Sequence, residues 1–172
     1  MIPPLVALLE NGTATAKETA ALVLADLAHD LQDDKVSIVD AGAIPPLVAL
    51  LENGTATAKE TAAFLLMDLA YGTEDNKVSI VRAGAIPPLV ALLKNGSDEA
   101  KEICAETLAN LAGNNGDNNV SIARAGAIPP AVALLKNGSD LGKSLAGALL
   151  GNLSVVDRAA ADRELRLIGF FS

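Results

Sequence analysis

The feature that most constrains this chain is an internal repeat with a constant period of 42 residues. Residues 2–21 recur letter for letter at residues 44–63, and the Ile-Pro-Pro triplet that begins both copies returns at Ile86 and Ile128. A fixed period of this length indicates supersecondary units that bury their apolar faces against their neighbours. We therefore predict a solenoid that forms a single module over residues 1–172. Its units are about 1–34, 35–76, 77–118 and 119–157, with a degenerate partial repeat at 158–172.

Each unit has the sequence signals of three helices. A short helix is predicted from Asn76 to a left-handed stop at Gly84, because glycine adopts that conformation without strain. A second helix is predicted from Ala85 to Gly96, with two prolines in its first turn, where a missing N–H costs nothing. The third and longest helix follows a capping-box spacing, Thr57 to Glu60, and is predicted to end near Tyr71.

The composition predicts an aliphatic core, because 51% of the residues are hydrophobic and only 2% are aromatic. The single cysteine, Cys104, is predicted to be a small buried side chain, since no basic neighbourhood is evident that would activate a thiol. No apolar run is long enough for a membrane span, and no secretory signal precedes the first unit. We therefore expect an intracellular protein, cytoplasmic or nuclear, that is not secreted and does not enter a membrane.

The motifs of enzymes are missing from the sequence. There is no glycine-rich phosphate loop, no nucleophile beside a base and no repeated pair of acids suited to proton transfer. The only histidine, His29, has no metal-ligand set beside it and is expected at the exposed end of a helix. We predict neither catalysis nor a metal or other cofactor.

The order of short helix, proline-started helix and long helix, with a Gly-Ala-Ile-Pro-Pro junction, resembles the armadillo repeat. The junction is clear at residues 41–45, 83–87 and 125–129. HEAT repeats are the nearest alternative, but they usually have two helices and less regular junctions. The resemblance implies an all-α fold, a right-handed armadillo-type α-solenoid of three-helix repeats, and a function in protein–protein interaction.

In armadillo proteins the third helices line a concave groove, where Trp and Asn side chains hold an extended peptide. Asn suits this role because its amide both donates to and accepts from a peptide backbone. Carried over position by position, the Asn slots are Asp26, Asp68, Asn110 and Asn152. The Trp slots are Leu22, Phe64, Glu106 and Ala148, and the chain contains no Trp.

The helical spacing adds further acidic residues to this face. The net charges of residues 1–34, 35–76, 77–118 and 119–172 are −5, −4, −1 and +2, for a total of −8. An acidic groove concentrates ligands of opposite charge, so we predict an extended, basic peptide as partner and disfavour nucleic acid. The alternative is that these acids only keep the helix face hydrated. The candidate peptide-binding residues are Asp26, Asp68, Asn110, Asn152, Glu18, Glu60, Phe64, Glu102 and Glu106.

The first unit begins without its short helix, since Met1 occupies the position of Ala43 in the next copy. Terminal repeats of stable solenoids normally present a polar outer face. We therefore expect a fragment of a longer array or an engineered array, whose uncapped ends associate into homodimers or end-to-end stacks as an alternative function. The residues expected to be exposed for self-association are Leu5, Val6, Leu8 and Leu9.

Overall fold

The computed structural model describes residues 1–30 and 32–154, and in this part of the chain all regular structure is helical. Short helices of nine residues, proline-started helices of ten and longer helices of 14 to 17 alternate in the predicted order. The predicted partial repeat at 158–172 lies outside the described residues. The helices are α1 (Ile2–Asn11), α2 (Ala14–Asp30), α3 (Gln32–Asp40), α4 (Ile44–Asn53), α5 (Ala56–Ala70), α6 (Glu74–Arg82), α7 (Ile86–Asn95), α8 (Asp98–Ala112), α9 (Gly116–Arg124), α10 (Ile128–Asn137) and α11 (Asp140–Leu153).

A hydroxyl side chain begins each of the longer helices. In α5 the cap is Thr55, whose backbone is extended and whose Oγ1 accepts a hydrogen bond from the backbone N–H of Ala58 at 3.1 Å. The predicted Thr57–Glu60 capping box is therefore wrong, because Thr57 already lies inside α5. The extended backbone of Gly54 leads directly into Thr55, so the first available hydroxyl becomes the cap.

Glycine ends two kinds of helix for two different physical reasons. Gly84 follows α6 with φ of +85°, which confirms the predicted left-handed stop. Gly54, which follows α4, has an extended backbone with φ of −74°. A Cβ atom at Gly54 would lie only 2.5 Å from the carbonyl oxygen of Leu50. Gly54 is thus required by close approach of the backbone, whereas Gly84 is required by its dihedral angle.

We expect Gly84→Ala to lower the free energy of unfolding by about 1–2 kcal/mol, because the left-handed region strains a residue with a Cβ atom. No atom lies within 4 Å of a Cβ built at Gly84, so the loss comes from the backbone and not from a clash. Gly116→Ala is the matched control, since Gly116 is helical and has equal space around it. Urea denaturation should show no loss in that control, and an equal loss in both variants would contradict the argument.

The chain divides into two compact units, Met1–Pro88 and Leu89–Ser172, and the boundary falls inside α7. In the first unit, α5 packs against α2 and α4, and α2 also packs against α1 and α3. In the second unit, α11 packs against α8 and α10. The largest fully buried side chains of both units are Leu and Ile, which confirms the predicted aliphatic core. Cys104 is also fully buried, as predicted.

Among the described residues, no single helix is both long enough and apolar enough to cross a membrane. Two pairs of consecutive helices, each sharply bent at its junction, meet that length and composition only when the two members are taken together.

Candidate functional site

The candidate site of the first unit is the side of α2 and α5 that carries the predicted peptide-binding positions. Two apolar side chains are exposed on it, Leu22 at 46% and Tyr71 at 53%. Asp26 is also exposed, one helical turn after Leu22. Carboxylate and apolar groups thus share one face, which suits a ligand that has both basic and apolar side chains.

Asp68 is the most unusual residue of this face, because only 6% of its surface is exposed. Its Oδ2 atom is buried and has no hydrogen-bond partner among the described residues. Burial of a carboxylate oxygen without a hydrogen bond carries a desolvation cost. Most buried polar side-chain atoms in proteins have a hydrogen-bond partner, so an exception of this kind calls for an explanation.

His29 lies beside Asp68, with its Nδ1 atom 3.6 Å from Oδ2 of the carboxylate. The histidine side chain is 69% exposed and stands at the end of α2, as expected from the sequence. Its ring centroid is 6.2 Å from that of Phe64, which precedes Asp68 by one helical turn in α5. Because histidine is a cation only when protonated, this pair does not give Asp68 a permanent counter-charge.

Two of the predicted glutamates contact the next long helix instead of standing free. Glu18 of α2 accepts a hydrogen bond from the hydroxyl of Thr55 at 3.0 Å, and Glu102 of α8 accepts one from the hydroxyl of Ser139. Thr55 and Ser139 are the N-terminal caps of α5 and α11, so each carboxylate also lies at the positive end of a helix dipole. These contacts link neighbouring repeats within each unit.

In the second unit the predicted Asn positions differ from one another. Asn152 of α11 donates from Nδ2 to the carbonyl oxygen of Ala109 in α8, at 3.0 Å. Asn110 of α8 is half-buried, and its Nδ2 atom is buried with no hydrogen-bond partner among the described residues. Glu106 lies one turn before Asn110 and is also half-buried. Asn152 is therefore tied to the adjacent helix, whereas Asn110 retains an unsatisfied donor.

Two buried asparagines were missed in the sequence because they look like ordinary polar residues at the start of short helices. Asn76 donates from Nδ2 to the carbonyl oxygen of Leu69 at 3.1 Å, and Asn118 donates to that of Leu111 at 2.7 Å. Both bonds reach a carbonyl in the last turn of a long helix, and that of Leu69 also accepts the backbone N–H of Gly72 at 3.1 Å. The sequence signal that could have revealed these asparagines is that both occupy the same position in successive repeats.

The exposure predicted for the first helix is wrong for two of its four residues. Val6 is 4% exposed and Leu9 is 1% exposed, because this side of α1 packs within the first unit, where α1 contacts α2, α3 and α4. Leu8 is 43% exposed and Leu5 is half-buried, since they lie on other sides of the helix. Self-association through Leu5 and Leu8 stays a prediction.

The model of the armadillo/beta-catenin-like repeat matches residues 73–113. A designed armadillo repeat protein, YIII(Dq.V1)4CPAF, in complex with the peptide (KR)4 is similar in structure, with 26% identity, a TM-score of 0.83, and coverage of 96% of this chain and 72% of that one. Computationally designed armadillo repeat proteins for modular peptide recognition are similar at 26% identity and a TM-score of 0.86, covering 99% and 75%. No curated protein matches the sequence. The armadillo repeat and the all-α solenoid predicted from the sequence are confirmed.

Proposed function

We propose that this armadillo-repeat array is a non-enzymatic scaffold that binds an extended, basic peptide along the exposed face of its long helices. The armadillo fold is a scaffold class, and the two similar designed proteins described above are named for peptide binding. One of them holds a peptide of alternating Lys and Arg. The charge of this chain, −8, is of the sign that attracts such a peptide.

The observation that carries the proposal is the buried carboxylate of Asp68. One of its oxygens is buried without a hydrogen bond, and the nearby His29 is mostly exposed. A Lys or Arg side chain of a ligand would supply the missing donor and charge together, an interaction stronger than a neutral hydrogen bond. Asp26, exposed on α2, offers a second carboxylate on the same face.

Apolar groups beside the carboxylates give the ligand a second source of binding energy. Leu22 and Tyr71 are each about half exposed on the face of the first unit. The alkyl stems of Lys and Arg cover apolar surface while their charged ends remain paired or hydrated. A basic peptide therefore matches both components of this surface.

The first test is fluorescence anisotropy with a labelled peptide of four Lys-Arg pairs, compared with an equally long peptide of Gln and Ser. We expect only the basic peptide to bind. Its affinity should fall steeply as the salt concentration rises from about 0.01 M to about 0.15 M, because the Debye length shortens from about 30 Å to about 8 Å. Equal binding of the neutral peptide, or no binding at low salt, would reject the proposal.

A further inference from the structure

A crevice in the second unit lies between the end of α7, the start of α8 and α10, and none of the predicted peptide-binding residues lines it. Its volume is about 440 Å³. Leu93, Pro130 and Leu134 contribute apolar walls, and Lys94 and Lys101 bring two cationic side chains to its edge. Asp98 lines it as well, so the site combines apolar walls with two cationic side chains and one anionic side chain.

The first compact unit has a crevice at the equivalent repeat positions. Comparison of the two crevices shows which features belong only to the crevice of the second unit. The volume of the first unit's crevice is about 230 Å³, and its lining includes Lys17, Pro46 and Leu50, the repeat equivalents of Lys101, Pro130 and Leu134. The equivalents of Lys94 and Asp98 are Glu10 and Ala14, so the charge is reversed at the first position and an anion is added at the second. Ligand pockets usually measure roughly 300–1,000 Å³, a range that includes only the larger crevice.

Both lysines of the larger crevice are available to a ligand. Lys101 lies 3.5 Å from Asp98, whose side chain is 98% exposed. Asp98 belongs to the same crevice lining, and an ion pair with so exposed a partner is weak and readily exchanged. Lys94 is exposed and forms no ion pair with any residue in the described part of the chain.

We infer that this crevice binds an acidic protein segment that inserts one large apolar side chain between carboxylates. The apolar walls favour the side chain, since its burial removes hydrocarbon surface from water. The carboxylates on either side pair with Lys94 and Lys101 at the rim, where complementary charge selects the partner and orients it. The occupant is opposite in charge to the ligand of the acidic face, and the inference does not depend on that function.

The chain contains no Trp, so a Trp in a peptide reports on binding without background from the protein. The probe is the peptide Glu-Asp-Trp-Asp-Glu, whose emission should shift to shorter wavelength and saturate as the full-length chain is added. The neutral peptide Gln-Ser-Trp-Ser-Gln should bind more weakly. No shift with the acidic probe, or an equal shift with both peptides, would overturn the inference.

Two substitutions locate the binding site. Lys94→Glu gives the third repeat the residue that the first two repeats carry at this position, and it should weaken binding of the acidic probe about fivefold. Lys136→Glu is the matched control, since Lys136 has the same place in α10 but does not line the crevice. Equal weakening by both substitutions would show attraction by overall charge and would reject the site.

The apolar part of the site is tested by filling it. Ala133 is exposed on α10 and lines the crevice, and Leu is nearly as good a helix former as Ala. Ala133→Leu should therefore fold normally and abolish the shift in Trp emission. Ala49→Leu makes the same change in the smaller crevice of the first unit and should leave the shift intact. Retention of the shift in Ala133→Leu would contradict insertion of the side chain.

Discussion

Asp68→Asn is expected to weaken binding of the basic peptide about tenfold while making the protein more stable. The loss of affinity reflects a charge-assisted contact, worth about 1.5–3 kcal/mol, that becomes a neutral one. The gain in stability, about 1 kcal/mol, follows from removal of a buried carboxylate oxygen that has no hydrogen-bond donor. Binding and stability thus change in opposite directions.

The expected gain has a precedent in the second unit. Asn152 occupies the position equivalent to Asp68 and donates to the carbonyl oxygen of Ala109 at 3.0 Å. The repeat equivalent of Ala109 is Ala25, to which a carboxylate cannot donate. An asparagine at position 68 would have an amide N–H to donate to the carbonyl oxygen of Ala25, and asparagine has nearly the same size as aspartate.

Peptide anisotropy and urea denaturation, measured on the same preparation, check both halves of this prediction. Asp26→Asn is the control, because Asp26 has the same repeat position but is exposed. That variant should reduce affinity only about twofold, in keeping with the small energies of exposed ion pairs, and leave stability unchanged. If Asp68→Asn lost both affinity and stability, the carboxylate would be a structural group and not a ligand contact.

Asn118→Ala is expected to lower the free energy of unfolding by about 2 kcal/mol. The side chain is 8% exposed, and its Nδ2 atom donates to the carbonyl oxygen of Leu111 at 2.7 Å. Alanine would leave that carbonyl unsatisfied in a buried site, which costs about 1–3 kcal/mol. The bond connects the end of α8 to the start of α9, so its loss loosens the junction between repeats.

Ser121→Ala serves as control for this second prediction, since Ser121 is on the same helix but exposed, and its hydroxyl bonds to the nearby Asp117 carbonyl. A change at such a surface site is usually within about 0.5 kcal/mol. Urea denaturation of both variants tests the difference. Equal stability of the two variants would mean that the Asn118 bond makes no net contribution.

Much of the fold was predictable because its signals are local. The first-turn prolines, the Asn-Gly ends and Gly84 each restrict a few residues of backbone, and the 42-residue period places those restrictions again in every unit. The choice between Thr55 and Thr57 as helix cap was not predictable in this way. Both residues are good caps, and the extended path through Gly54 decided between them.

The repeat spacing identified the candidate residues, but it could not predict their burial or their hydrogen bonds. Asp26 and Asp68 occupy the same position in successive repeats, yet Asp26 is exposed and Asp68 is buried. Asp68 of α5 lies against the preceding long helix, α2, with His29 beside it. Asp26 lies on α2 itself, which is the first of the long helices. Burial thus depends on the neighbouring repeat, which a position within the unit does not specify.

By itself, the sequence determined the three-helix unit, its armadillo character and the recurrence of acidic residues at equivalent positions of the long helices, since all three depend on residue type and spacing. Only the tertiary structure decided how those side chains are used. It bonded Glu18 and Glu102 to the next helix cap, left Asp68 without a donor, and opened a larger crevice beside Lys94. The physical reason is that hydrogen-bond satisfaction and burial are properties of packed neighbours, which near-identical repeats acquire differently according to what lies beside them.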